Sequence, residues 1–417
     1  MNLRLTLKRS RLIVAGATLA TLWIAGTGAQ RVHAQQRAQA TPSPADKALM
    51  SDQAFKNVQV LKGMPVDDFM GTMGIMSAAV GFDCSECHIG AGTETVDWAA
   101  DSPKKIRARQ MTVMVQNINK QNFGGRTVIT CWTCHRGRDR PAQTPQLAQV
   151  YGTPNLDPDD VLTQEQGLPE PKTIIDKYLN AIGGEQRWAA IKSWDATGTS
   201  VGFGGFGGGG KVEIASKFPD EHAVIIKFAA ETGRGEAIRT TNGKQAWIKS
   251  PLTVLGEYEV SGGDLDGAKL DAELAFPNQM KTALTNLRTS IPLTISDLPA
   301  PDSQSSVQST QMQGKDKEVN VVQGEGPNRM LCTLYFDKDT NLLLRVVRFG
   351  RTNIGRVPTQ IDYADYRDVN GVKIPFRITF AWLDGRDAIQ LSEVKLNVPI
   401  DETKFGRPDP AQPGAKK

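Results

Sequence analysis

The chain has few of the residues that most often carry chemistry: among its 417 residues are five cysteines and four histidines. It also lacks a strong charge bias. A net charge of +4 is too small to argue for a nucleic-acid partner. No basic run beyond the N-terminus and the segment RGRDR at 136–140 would follow a phosphate backbone. After the first 34 residues no stretch is long and apolar enough to cross a bilayer. What remains is ordinary for a folded protein, with 39% hydrophobic and 23% charged residues. The length exceeds what one hydrophobic core usually covers, so more than one domain is expected.

The N-terminus reads as a secretory signal over 1–34. Arg4, Lys8, Arg9 and Arg11 make a basic start, Leu12 to Gly26 is apolar, and Val32-His33-Ala34 offers small residues for cleavage. An uncleaved anchor is the competing reading, but the apolar run of about 15 residues is short for a membrane span. The expected location is periplasmic or otherwise extracytoplasmic, with membrane association as a variant. Export permits disulfides. Yet four of the five cysteines sit in two copies of one short motif, and Cys332 alone stands apart. It is expected to be a buried small hydrophobe in a strand.

The pattern along the chain predicts an α + β multidomain protein. A polar tether (35–51) precedes a helical module (52–141). A proline-rich linker (142–170) leads to a mainly antiparallel β half-barrel with a few helices (171–410), and 411–417 is a disordered tail. VEIASKF, HAVIIKF, EAIRTTNGKQAWIKS, EVNVVQ, MLCTLYFDKDTNLLLRVVRF and VKIPFRITFAW read as strands, with Asn242-Gly243 as a hairpin turn. Thr173 to Ile191, broken at Gly183-Gly184, and Leu265 to Thr289, divided at Pro277, read as helical. The run from Gly205 to Lys211 has most of a phosphate-binding loop. However, Val212 stands where that loop needs Ser or Thr, and a strand follows instead of a helix.

CSECH at 84–88 and CWTCH at 131–135 are the repeated motif. Two CxxC pairs could hold zinc, but residues 88–130 separate them, beyond ribbon spacing, and zinc gives no reason for a His after both pairs. A thiol–disulfide pair is needed once and follows a strand. Covalent haem attachment uses all three residues: two thiols add to the vinyl groups, and the adjacent His is brought beneath the iron. Two motifs then mean two covalently bound c-type haems, held by Cys84, Cys87, Cys131 and Cys134, with His88 and His135 as iron ligands.

A sixth iron position remains. Only His33 and His222 lie outside the motifs, whereas methionine is abundant ahead of each. Pro65, Asp67, Asp68 and Gly81 frame a helix with Met70, Met73 and Met76. Ser102 and Pro103 open a second, and there Met111, Met114, Val115 and Ile118 share a face. Spacing alone does not choose among the methionines, most of which are core filler in any protein.

"NVQVLKGMPVDDFMGTMGIMSAAVGFDCSECH", "ARQMTVMVQNINK" and "VITCWTCHRG" resemble the cytochrome c subunit of purple bacterial photosynthetic reaction centres. The likeness covers 55–141, about a fifth of the chain. It implies an all-α c-type multihaem module with Met73, in GTM, as the axial ligand of the first haem and Met111, in ARQM, as that of the second. It also implies electron transfer and not catalysis, with a redox donor and acceptor as partners and a membrane redox complex or photosynthetic reaction centre among the candidates. Two departures stand out. The family typically has four haems, and its members lend a His from just before the second motif, where Lys120 to Thr130 contains none. The β module more weakly resembles periplasmic lipoprotein-carrier half-barrels, in "IIDKYLNAIGGEQRWAAIKSWDATGT" and "YADYRDVNGVKIPFRIT", which implies an apolar ligand or a docking role. The alternative to an electron carrier is a peroxidase-like haem enzyme, which needs a distal acid–base group, or a haem-linked sensor using the β domain. Arg136, Arg138 and Arg140 are candidate partners of haem propionates.

Overall fold

The computed structural model describes residues 48–91, 93, 95–141, 143–145, 147, 159–201, 209–232, 235–249, 255–297, 315–352, 355–383 and 385–409. The signal, most of the tether and the tip of the glycine-rich run lie outside them.

The first part is built from two long helices. Helix α1 (Ser51–Ala54) is one turn. Helix α2 (Val66–Val80) starts after Pro65, carries Asp67 and Asp68 in its first turn, and stops at Gly81, whose φ of 72° only glycine adopts without strain. The short α3 (Cys84–Cys87) follows. Helix α4 (Pro103–Asn122) is capped by Ser102, whose hydroxyl accepts from Lys105 N. After Gly124 and Gly125, both at positive φ, comes α5 (Cys131–His135). Among the described residues, the expected all-α module is thus two helices joined by loops and single turns. Ser51, assigned to the tether, is instead fully buried, and its hydroxyl donates to Leu61 O at 2.6 Å.

Residues 171–409 begin with α6 (Pro171–Ala181) and α7 (Glu185–Ala189), separated at Gly183 and Gly184 as expected. Thirteen strands then form one open antiparallel sheet in the order β6-β5-β4-β3-β2-β1-β13-β12-β11-β10-β9-β8-β7. They are β1 (Ser193–Val201), β2 (Gly210–Lys217), β3 (Glu221–Phe228), β4 (Glu236–Asn242), β5 (Ala246–Lys249), β6 (Glu257–Glu259), β7 (Thr285–Asp297), β8 (Lys315–Glu325), β9 (Leu331–Asp337), β10 (Leu343–Thr352), β11 (Gly355–Val369), β12 (Val372–Ala381) and β13 (Arg386–Leu396). Between β6 and β7 lie α8 (Gly262–Leu274) and α9 (Met280–Ala283). Ile175 and Leu179 of α6, Leu270 of α8 and Met280 of α9 share one core with Ile214, Ile226, Leu334 and Ile389 of the sheet. Cys332 is fully buried in β9, as expected of a small core residue.

Three expectations change. The helical reading of 265–289 ends early, because Thr285 begins β7, where β-branched residues pair with β8 (Thr289 opposite Val322). Strand β13 was not expected. A bulge between Thr197 and Gly198 of its neighbour shifts the register, so its apolar residues do not alternate strictly. The end of the linker is not free. Leu162 N donates to Gln323 Oε1 at 2.9 Å, and Thr289 N donates to Gln164 Oε1 at 2.7 Å, which ties it to β7 and β8.

Helix α2 is fastened to the β part. Asp67 accepts from both Ser261 N and Ser261 Oγ, so it caps α8 from another helix. Gly71 and Gly74 allow close approach, because a Cβ there would lie 3.3 Å from Val357 and 3.2 Å from Leu383. The described residues from 48 onward accordingly form one compact unit.

Candidate functional site

The two motifs sit on capped turns. Asp83 accepts from Ser85 N at 2.8 Å to start the first. Thr130 and Thr133 bond reciprocally, at 3.3 and 3.0 Å, to start the second. Each turn is then held by the other repeat. Ser102, at the head of α4, donates to Cys87 O at 2.7 Å. Gly137 N and Arg138 N donate to Ala79 O of α2 at 2.8 and 3.2 Å. The loop ahead of the second motif hangs on buried Asn119, which donates to Ile129 O (2.8 Å) and accepts from Val128 N (3.1 Å) and Ile129 N (2.9 Å).

The cysteines are not gathered. None is in a disulfide, Cys84 and Cys134 are exposed, and Cys87 and Cys131 are half-buried. Among the described residues no cluster of three or more His, Cys, Asp or Glu is arranged to hold a metal ion, so the two CxxC pairs do not combine into a tetrathiolate zinc site. Burial pushes the Cys87 and Cys131 thiols up, opposite to what an activated redox thiolate requires.

The histidines are better defined. His135 Nδ1 lies 3.0 Å from Arg138 O. A carbonyl only accepts, so Nδ1 carries the proton and Nε2 keeps its lone pair, the tautomer an iron ligand needs. His88 packs against Trp98 with ring centroids 5.2 Å apart. Burial, with the Lys105 charge adding to it, lowers its pKa and keeps the ring neutral. Its Nδ1 is buried without a hydrogen-bond partner. Around the motifs lie uncovered apolar side chains: Ile89 is 56% exposed, Trp132 50% and Met114 42%. Paired thiols, adjacent imidazoles and open apolar surface suit a broad flat apolar group such as a porphyrin.

The methionines separate by helix face. Met70 lines a cavity shared with the β sheet. At 100° per residue, Met73 and Met76 fall on the side of α2 turned away from Gly71 and Gly74. Met73 and Met111 are both half-buried. Arg136, Arg138 and Arg140 are exposed, with Arg136 left-handed at φ 50°.

A second feature was only partly foreseen. A cavity of about 430 Å³ opens between the sheet, α2 and α8. Its wall includes Trp194, Trp247 and Phe380, and also Asp68, Asp264 and Arg348. The sequence suggested an apolar concave face, but not the charges that α2 and α8 contribute. Asp-Asp at the head of a helix was read there as a helix-start signal alone.

Residues 17–166 match the family model of the photosynthetic reaction centre cytochrome C subunit. The chain is 31% identical over 152 residues to the photosynthetic reaction center cytochrome c subunit of Rubrivivax gelatinosus, covering 34% of this chain and 40% of that protein. It is 30% identical over 115 residues to the corresponding subunit of Thermochromatium tepidum, covering 26% of this chain and 27% of that protein. The chain thus spans less than half the length of these curated relatives. Among solved structures, a LolA superfamily protein from Nitrosomonas europaea overlays 58% of this chain and 99% of its own (13% identity, TM-score 0.33). A DUF1329 family protein from Desulfovibrio piger overlays 57% and 98% (10% identity, TM-score 0.34). These scores are low, and the open antiparallel sheet stands on its own strand pairing.

Proposed function

We propose that the chain is an exported c-type cytochrome that holds two haems covalently and passes electrons in an extracytoplasmic redox chain. The observation that carries this reading is the duplicated unit of long helix, left-handed glycine turn and capped CxxCH. The second copy fixes the tautomer of its histidine through Arg138 O. The N-terminal likeness to reaction centre cytochrome c subunits supports it.

In this reading Cys84 and Cys87, and Cys131 and Cys134, form the thioether anchors. His88 with Met73, and His135 with Met111, would hold the irons through nitrogen and sulfur. Bound haem supplies one-electron chemistry at iron, with thioether ligation favouring a higher potential. The protein's part is orientation and exclusion of water. Arg138 O holds the His135 ring, Trp98 flanks His88, and the exposed edges at Ile89 and Trp132 give a route for contact with a redox partner. The partners are a donor and an acceptor protein, with a membrane redox complex of the reaction-centre type as the leading candidate. Among the described residues no helix is long and apolar enough to cross a membrane, so association with such a complex would be peripheral or through residues outside them.

An enzyme is the weaker reading, because His222, the one described histidine outside the motifs, lies half-buried in the β sheet, with Nδ1 on Ser216 Oγ at 2.7 Å, where it lines the cavity of the β part. The test is the oxidised spectrum of Met73→Ala and Met111→Ala. Each is expected to turn one haem high-spin, and unchanged low-spin spectra in both would overturn the ligand assignment.

A further inference from the structure

The cavity beneath α2 has a composition that electron transfer does not use. Its volume of about 430 Å³ is within the range of small-molecule sites. One part is apolar and aromatic, with Trp194, Ile214, Val224, Trp247, Ile361 and Phe380. The lining also carries charges: Asp67 and Asp68 from α2, Asp264 and Asp271 from α8, and several basic side chains of the sheet.

Two of these acids are already partnered. Asp67 accepts from Ser261, and Asp271 receives two hydrogen bonds of 2.8 Å from Arg348 of β10. Of the remaining basic groups lining the cavity, Arg239 of β4 stacks on Trp382 with 4.1 Å to the ring centroid, Lys249 of β5 pairs with Glu236 at 3.8 Å, Arg351 of β10 and Lys373 of β12 are exposed, and His222 of β3 has Nδ1 on Ser216 Oγ at 2.7 Å. Asp68 and Asp264 have no hydrogen-bond or ion-pair partner among the described residues. Asp264 is exposed and Asp68 half-buried, and both open to the cavity. Tyr258 of β6 also faces this end, its phenol kept neutral by burial. Burial first, and then repulsion among Asp67, Asp68 and Asp264, pushes Asp68 and Asp264 up to about 6, against the pull of the Arg348 and Arg239 charges on Asp264. Carboxylates with no partner that open into an aromatic-lined cavity are complemented by an organic cation seated against the rings.

We propose that this cavity binds a cationic amphiphile, an apolar chain ending in an amine, with the chain among the sheet's aromatic residues and the ammonium on Asp68 and Asp264. The proposal does not rest on haem binding.

The experiment is calorimetric titration of the full haem-loaded chain with dodecylamine, dodecanol and dodecanoate, each below its micelle concentration. At pH 7.5 dodecylamine is expected to bind on the order of tenfold more tightly than dodecanol, with dodecanoate weakest. The preference should vanish in Asp68→Asn/Asp264→Asn while dodecanol binding is unchanged. It should also fade in the unaltered chain as pH falls through 6. Glu393→Gln, on an exposed pair far along β13, should keep it. Equal binding of the three probes, tightest binding of dodecanoate, or loss of the preference in Glu393→Gln would overturn the proposal.

Discussion

The two CxxCH turns share a sequence pattern but not an environment. The second is complete within the protein. Its cap is reciprocal, Asn119 holds the loop before it, and the HRGR tail bends back so that Arg138 O meets His135. The first is followed by Ile89 and Gly90, and the chain leaves in another direction, with Asp97 N donating to Ile89 O. His88 Nδ1 is therefore buried with nothing to bond. The residue after the histidine decides whether its own chain supplies the orienting acceptor. The second histidine is oriented by the carbonyl of Arg138, whereas the first is set by Trp98, which packs on its ring and meets it through a backbone hydrogen bond.

The comparison breaks most sharply through the cysteines. Replacing Cys84 and Cys87 by Ser should leave one haem, that of the second motif, and the reverse pair should leave the other. With a single haem, the ligand pairing can be read directly. In the Cys84→Ser/Cys87→Ser chain, Met111→Ala should turn the remaining haem high-spin while Met73→Ala should not. The opposite result would mean that each helix serves the motif it packs against across the module, since α5 adjoins α2 and α3 adjoins α4.

A smaller effect separates the scaffolds. Asn119→Ala removes one donor and one acceptor that satisfy three backbone groups of the second loop, which should cost about 2 kcal/mol in unfolding free energy. It should slow haem attachment at the second motif and leave the first unchanged, as single-haem variants would show.

Much of this was legible because the signals were local. Gly81, Ser102 and the paired glycines punctuate the helices through backbone rules and stand where expected, while Pro65, expected at the first helical position, is the residue just before it. The strand at 285–297 and the bulged register of β13 were not legible, because both are set by pairing with distant neighbours. Nor was the use of Asp67 as a cap for α8, which joins residues 194 positions apart. At the candidate site, the thiols and imidazoles were readable from spacing, whereas the orphaned His88 Nδ1 and the acid-lined cavity depend on tertiary enclosure.

A last prediction concerns the pH dependence of the β part. Burial lowers His222 to about 4, from an ordinary value of 6.5. The folded state therefore resists its protonation, and the unfolded chain binds the extra proton. Stability is complete above the unfolded value, falls as pH drops below 6.5 and stops falling on this account near 4, a loss of up to about 3 kcal/mol. Asp68 and Asp264, raised to about 6, act in the opposite sense, since protonation relieves their repulsion as pH falls through that value. His222→Gln should flatten the acid limb of the unfolding curve between pH 6.5 and 4. An unchanged slope would mean that the ring is reached by water in the folded state.

The central claim is tested most directly by measuring the mass and visible spectrum of the chain produced in an exporting host with cytochrome c maturation. The account predicts two haems per chain that survive denaturation, both low-spin when oxidised and with the weak far-red band of methionine ligation. A chain with no covalent haem, or with bound metal and free thiols at all four motif cysteines, would contradict it.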